Sequence, residues 1–242
     1  MIEPFWGLKR IGEKFQLFSG SHLIMVLLLL LLIFALYFTR KVATQKSKQA
    51  VRYVLAIFLI VSELSLYAWY SHTGVWDPVD TLPLQLCSIS LFLSIIMLFS
   101  RSYFLFEITF FLGVGGALQA MLTPELVYDF PHYRYFHFFL AHIAIILASF
   151  YMIWYEGYRP TMKSVWRAFI GLNCIALVVF FINKITGGNY MFLSRKPLNP
   201  SLIDLLGPYP WYLLSLQVAA FGIFCLLYLP FAIIEEKKRR AS

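Results

Sequence analysis

Seven runs of predominantly apolar residues constrain this chain more than any other feature. Each is close to the length of about 20 that an α-helix needs to cross the hydrocarbon core of a bilayer. They are read at 22–38, 51–70, 83–100, 103–122, 134–155, 165–183 and 210–230. Composition agrees: 60% of the 242 residues are hydrophobic and 13% are charged, against roughly 45–50% and about 25% in soluble domains. Disorder and an ordinary soluble domain are both excluded on that ground. Seven helices use roughly 140 residues, and the remainder is too short for a second folded domain once the loops are counted. The expectation is an all-α integral membrane protein, a single seven-helix domain over residues 1–242. No apolar signal core with a small-residue cleavage site precedes the first run, so that run reads as a retained span.

The net charge of +8 fits basic cytoplasmic loops. No basic stretch is interleaved with aromatics as a nucleic-acid groove requires, so no nucleic-acid partner is expected. Thirteen basic residues fall on one side, among them Arg40, Lys41, Lys46, Lys48 and the tail Lys237, Lys238, Arg239 and Arg240. Seven fall on the other: Lys9, Arg10, Lys14, Arg134, Lys184, Arg195 and Lys196. The richer side is expected to be cytoplasmic, which puts the N-terminus outside and the C-terminus inside. The outer loops are the elaborated ones. The last of them, NKITGGNYMFLSRKPLNPSLIDLLGPYPW, has the Pro, Gly and Asn of a turn-built cap. Function gathers on such loops.

Polar groups inside lipid are costly and need a partner or a task. At about 1.5 Å per residue, Glu63, Gln85, Cys87, Gln119, His137, His142 and Gln217 fall in the outer half of their runs, and Asn183 at an outer end. The inner half offers little beyond Glu107. An outward-opening polar pocket is the economical reading. The alternatives are structural: Glu63 as a buried acid bonded to a neighbouring helix, Gln119, Gln217 and Asn173 as interhelical hydrogen bonds, and His22 and His72 as interfacial side chains. The run GVGGALQA sets Gly113, Gly116, Ala117 and Ala120 on one helical face, which suits close helix packing.

Three widely spaced cysteines form neither a metal pattern nor a disulfide framework. Cys87 lies in DTLPLQLCSIS. Asp80 or Thr81 can cap a helix there and Pro83 suits its first turn. A thiol near the positive end of a helix is a better nucleophile, and the free N–H groups beside it can hold an oxyanion. By span parity the third and fifth helices descend together, so His137 and His142 reach a similar depth and either can complete a Cys–His pair. Inert packing is the competing reading for Cys87. The i, i+5 spacing of His137 and His142 does not place them on one face, so no metal site is expected.

The segments LPLQLCS, GALQAMLTPEL, FPHYRYFHFFLAH, EGYRPT, NYMFLSRKP and GPYPWY together resemble the YwaF-like family of bacterial integral membrane proteins. That family is similar in turn to a eukaryotic transmembrane family that remodels ether phospholipids through a catalytic cysteine and histidine. The resemblance implies a bacterial cell-membrane, multi-pass enzyme with Cys87 as nucleophile and His142, or else His137, as its base. The expected activity is phospholipid acyl transfer or acyl hydrolysis at the outer leaflet, through a thioester. The phospholipid serves as donor, so no cofactor is expected. Gln85 joins the oxyanion donors, while Glu63, Gln119, Asn183, Asn189, Tyr190, Lys196 and Trp211 are expected around the substrate. The alternative is a lipid or small-molecule transporter or binding protein without catalysis.

Overall fold

A computed structural model describes residues 3–8, 15–196 and 202–241. Lys9, Arg10 and Lys14, counted above on the outer side, lie outside the described residues. Every regular element among the described residues is helical. In chain order they are α1 (Glu3–Trp6), α2 (Gly20–Thr39), α3 (Gln45–Thr73), α4 (Leu86–Ser100), α5 (Tyr103–Thr109), a π-helical turn (Phe110–Val114), α6 (Gly115–Leu122), α7 (Tyr133–Trp154), α8 (Met162–Thr186) and α9 (Tyr212–Ala241), with short 3-10 turns at Tyr190–Phe192 and Leu202–Leu206.

Among the described residues six helices are long and apolar enough to cross a membrane, counting α5, the π turn and α6 as one from Tyr103 to Leu122. The helix expected as the third span is shorter, at 15 residues. It starts at Leu86 rather than at Pro83, because the residues meant to cap it are used in a turn. Thr81 Oγ1 donates to the Asp77 carbonyl at 2.7 Å and accepts from the Asp77 N–H at 3.1 Å. Pro83 also disfavours helical geometry at Leu82. Gln85 therefore becomes the N-cap, without a side-chain cap bond. The last helix departs in the other direction. It runs through Pro230 to Ala241 instead of ending near the proline. Glu235–Arg239 and Glu236–Arg240 pairs at i, i+4 support the continuation.

The other boundaries have local causes. Thr44 caps α3 by accepting from Ser47 N–H at 3.2 Å, and Gly74 ends it at φ 70, a conformation that glycine adopts without steric cost. Thr161 and Ser164 form a reciprocal capping box at the start of α8. Inside the bundle α7 is the hub, packing against α2, α3, α4, α5, α6 and the π turn. Its Tyr135, Phe139, Ile146, Ala148 and Met152 are essentially inaccessible. At the basic end the buried Glu107 accepts from Ser164 Oγ at 2.6 Å and from Arg167 Nη1 at 2.7 Å, which joins α5 to α8.

Candidate active site

Helix packing in lipid depends on close approach, which small residues allow. Gly113, in the π turn, shows how close. A Cβ there would lie 3.0 Å from Ile145 Cγ2 on α7 and 3.7 Å from Ser90 Cβ on α4. One glycine thus brings α4 and α7 to a common point. One turn toward the loop-rich end Gly116 on α6 faces Cys87 on α4, and along α7 His142 is three residues from Ile145. A Cβ on Gly116 would meet Leu86 Cδ2 at 3.4 Å and Cys87 Sγ at 3.9 Å. The neighbour relation of α4 and α7, invisible in the sequence, follows from this seam.

Cys87 is the second residue of α4 and half-buried. The first N–H groups of a helix have no intrahelical acceptor. The ladder begins with Ile89 N–H donating to the Gln85 carbonyl at 3.0 Å, so the N–H groups of Leu86, Cys87 and Ser88 point outward from the helix start. His142 is 7% exposed. Its Nδ1 lies 2.6 Å from the Phe138 carbonyl. A carbonyl only accepts, so the proton is assigned to Nδ1 and the lone pair to Nε2. His137 is held differently. Its Nδ1 lies 3.4 Å from Arg134 Nη1, and its Nε2 is buried without a partner.

The remaining expected site residues divide into three groups. The first is a clasp over the start of α4. Asn183 Nδ2 donates to the Tyr190 carbonyl and Asn183 Oδ1 accepts from Tyr190 N–H, both at 2.9 Å. The Tyr190 hydroxyl donates to the Pro78 carbonyl at 2.8 Å and accepts from Leu82 N–H at 2.9 Å. Gln85 Oε1 accepts from Met191 N–H at 3.0 Å. Gln85, Asn183 and Tyr190 thereby fix the non-helical segment in front of Cys87. The second group shapes the long loop. Asn189 Oδ1 accepts from the N–H groups of Ser194 and Arg195 at 3.1 and 2.9 Å, and Lys196 reaches Asp204 Oδ1 at 3.8 Å. The third stands apart: Trp211 is 65% exposed and Gln119 is exposed on α6. Glu63 is buried on α3 with no hydrogen bond or ion pair among the described residues.

Several polar expectations are corrected. His22, the third residue of α2, is fully buried, with Nε2 at 2.7 Å from the Met121 carbonyl. Asn173 donates to the Phe169 carbonyl within its own helix, and Gln217 Oε1 is buried without a partner, so neither forms the interhelical bond expected. The bare inner half is also corrected. Ser94, Thr109 and Ser149 are buried there with unpartnered hydroxyls, and Ser90 is buried likewise nearer the middle. Small hydroxyl residues carry no hydropathy signal strong enough to mark them. Arg134, in sequence one of the outer-side basic residues, has its guanidinium over the rings of Trp69 and Tyr70. Among the described residues no three of His, Cys, Asp and Glu are grouped to hold a metal ion.

The TMEM164 family model matches residues 17–228, nearly the whole helical array. The chain belongs to the TMEM164 family. The match carries the family, and not the YwaF-like branch in particular. An uncharacterized protein of Treponema pallidum (strain Nichols) is 25% identical over 152 residues, 63% of each chain; the match thus spans less than two thirds of that relative's length. No solved structure matches.

Proposed function

We propose that this TMEM164-family chain is a seven-span enzyme of the YwaF-like branch in a bacterial cell membrane, N-terminus outside and C-terminus cytoplasmic. It acts on phospholipid acyl esters at the outer leaflet. The observation that supports the reading is the glycine seam: Gly113 meets Ser90 and Ile145, and Cys87 and His142 are each three residues, about one turn, from those contacts along α4 and α7. The His142 tautomer supports it further, because it leaves Nε2 free to accept a proton.

In this mechanism Nε2 of His142 takes the thiol proton of Cys87, and the thiolate attacks the ester carbonyl. The N–H groups of Leu86, Cys87 and Ser88 receive the oxyanion. The tetrahedral adduct collapses to a thioester on Cys87, and the lysophospholipid oxygen leaves with the proton from His142. A second lysolipid hydroxyl, or water, is then deprotonated by His142 and attacks the thioester, which frees the thiol. The donor is the lipid itself and no cofactor enters. Glu63, Gln85, Gln119, Asn183, Asn189, Tyr190, Lys196 and Trp211 are assigned to the substrate side, with Gln85, Asn183 and Tyr190 acting through the clasp.

The test is the intact mass of detergent-purified protein after incubation with phospholipid. An acyl adduct removed by hydroxylamine and absent from Cys87→Ser is expected. A protein that stays bare with every donor tried overturns the reading. The alternative, a lipid or small-molecule transporter, is favoured by one observation: the unpartnered hydroxyls of Ser90, Ser94, Thr109 and Ser149 continue the polar lining inward. Transport that survives Cys87→Ser unchanged would select it.

A further inference from the structure

Arg52 and Arg167 lie against the bundle and each reaches a carboxylate, Glu156 at 4.0 Å and Glu107 at 2.7 Å. Arg134, on the second residue of α7, forms no ion pair among the described residues. Its guanidinium carbon is instead 5.4 Å from the Trp69 ring centroid and 5.8 Å from that of Tyr70. Its Nη1 is 3.4 Å from His137 Nδ1. Glu63, on the facing helix, lies beyond ion-pair reach. The aromatic rings lie against the guanidinium while most of its five donors stay unused. A half-buried guanidinium at the edge of a bilayer, in the field of Glu63 but in direct contact with no carboxylate, keeps donors open to an incoming anion.

The surroundings define which anion. The Tyr133 hydroxyl and Ser65 Oγ are 2.6 Å apart, so the start of α7 is set well down the side of α3. Phe5 and Trp6 cover this end: the Trp6 ring is 4.2 Å from that of Tyr133, and Trp69 Nε1 donates to the Trp6 carbonyl at 2.7 Å. That apolar cover limits water and strengthens a charge-assisted bond beneath it. Arg134 precedes His142 by eight residues, about 12 Å of helix. The anion that a bilayer supplies at its rim is the phosphodiester of a glycerophospholipid, and its acyl esters lie deeper, on the side of His142.

We infer that Arg134, framed by Trp69, Tyr70 and His137, is the phosphate anchor of the phospholipid whose ester faces Cys87. The assignment of the ester rests on the acyl-transfer reading; the phosphate contact does not. The test uses the full-length Cys87→Ser protein in detergent and native mass spectrometry with three probes. These are phosphatidylcholine, the diacylglycerol with matching chains, and sn-glycerol 3-phosphate. The Cys87→Ser protein is expected to retain phosphatidylcholine at least tenfold better than diacylglycerol. A further Arg134→Gln change is expected to erase that preference without weakening diacylglycerol. Arg134→Lys keeps the charge but not the fork and is expected to fall between.

Equal retention of phosphatidylcholine and diacylglycerol by the Cys87→Ser protein overturns the anchor. That arm needs no Arg134 variant to fold. A preference that persists in Arg134→Gln overturns it as well. Retention of sn-glycerol 3-phosphate as strong as that of the lipid assigns the site to free phosphate esters and overturns the lipid assignment. The two readings fail separately. A phosphate-dependent lipid adduct, with no thioester ever seen on the unaltered protein, removes the acyl chemistry and keeps the anchor. A thioester with no phosphate preference does the reverse.

Discussion

The bond from His142 Nδ1 to the Phe138 carbonyl sets a specific expectation for the two candidate histidines. His142 keeps an unpaired Nε2 one turn from the glycine seam, whereas His137 shares Nδ1 with Arg134. In the thioester assay His142→Ala is expected to slow acylation by roughly 10²–10⁴-fold, the usual share of a general base. His137→Ala should cost less than about tenfold on the same scale. The reverse order would make His137 the base. His132, the N-cap of α7, has a different role. Its Nε2 is 2.8 Å from the Gly7 carbonyl and its Nδ1 accepts the Arg134 N–H at 3.1 Å, so the folded ring is neutral. Burial holds its pKa below the usual value, and the nearby Arg134 charge adds to this against the Gly7 bond. The unfolded chain takes up the proton first, starting near pH 6.5. Stability is therefore full above about pH 6.5 and falls as pH drops toward the lower folded value. Thermal melts in detergent across that window should show the decline in the unaltered protein and a shallower one in His132→Asn. The sequence exposed both histidines as polar groups, but not which nitrogen is free, because that depends on a carbonyl four residues away.

Among the elements, the runs of hydropathy were legible nearly to the residue where a cap stands beside them, as at Tyr103–Leu122 and Tyr133–Trp154. They failed where a distant segment decides. The start of α4 moves to Leu86 because Tyr190, more than a hundred residues away, holds the Pro78–Leu82 segment in a non-helical path. That clasp gives an expectation of its own. Asn183→Ala removes two buried bonds to the Tyr190 backbone, each unsatisfied group costing about 1–3 kcal/mol. A clear fall in melting temperature should accompany the loss of acylation, and an unchanged melt would show that the clasp carries no load. The glycine seam is sharper still. Gly113→Leu places a branched side chain where a single Cβ already meets Ile145 at 3.0 Å. Overpacking of this kind costs about 1–3 kcal/mol. Acylation should fall while Gly20→Ala, with nothing within 4 Å, leaves it unchanged. The small-residue face of GVGGALQA was visible in the sequence; that it joins α4 to α7 was not.

The whole molecule is a set of apolar helices around α7, and its placement in a membrane follows from the distribution of charge. With Cys87, Cys174 and Cys225 replaced by Ser, a cysteine introduced at Val75 should react with a membrane-impermeant maleimide on intact cells. One at Ala43 should react only after permeabilisation. The opposite pattern would invert the proposed orientation. The general class was plain from 60% hydrophobic and 13% charged residues, since lipid as a solvent selects composition directly. Site geometry was not, because it depends on which helices touch. One dimension has a consequence for the bilayer itself. At 15 residues, α4 covers about 22 Å against a hydrocarbon thickness of about 30 Å, and its outer face presents Phe92, Ile96 and Phe99 to the surroundings. A bilayer meets a short hydrophobic element by thinning around it. Lipids that flank α4 therefore sit lower than their neighbours, and their ester carbonyls sink toward the depth of Cys87. On the acyl-transfer reading proposed above, no lipid has to be lifted out of its leaflet, because the dimple brings the ester down to the thiol.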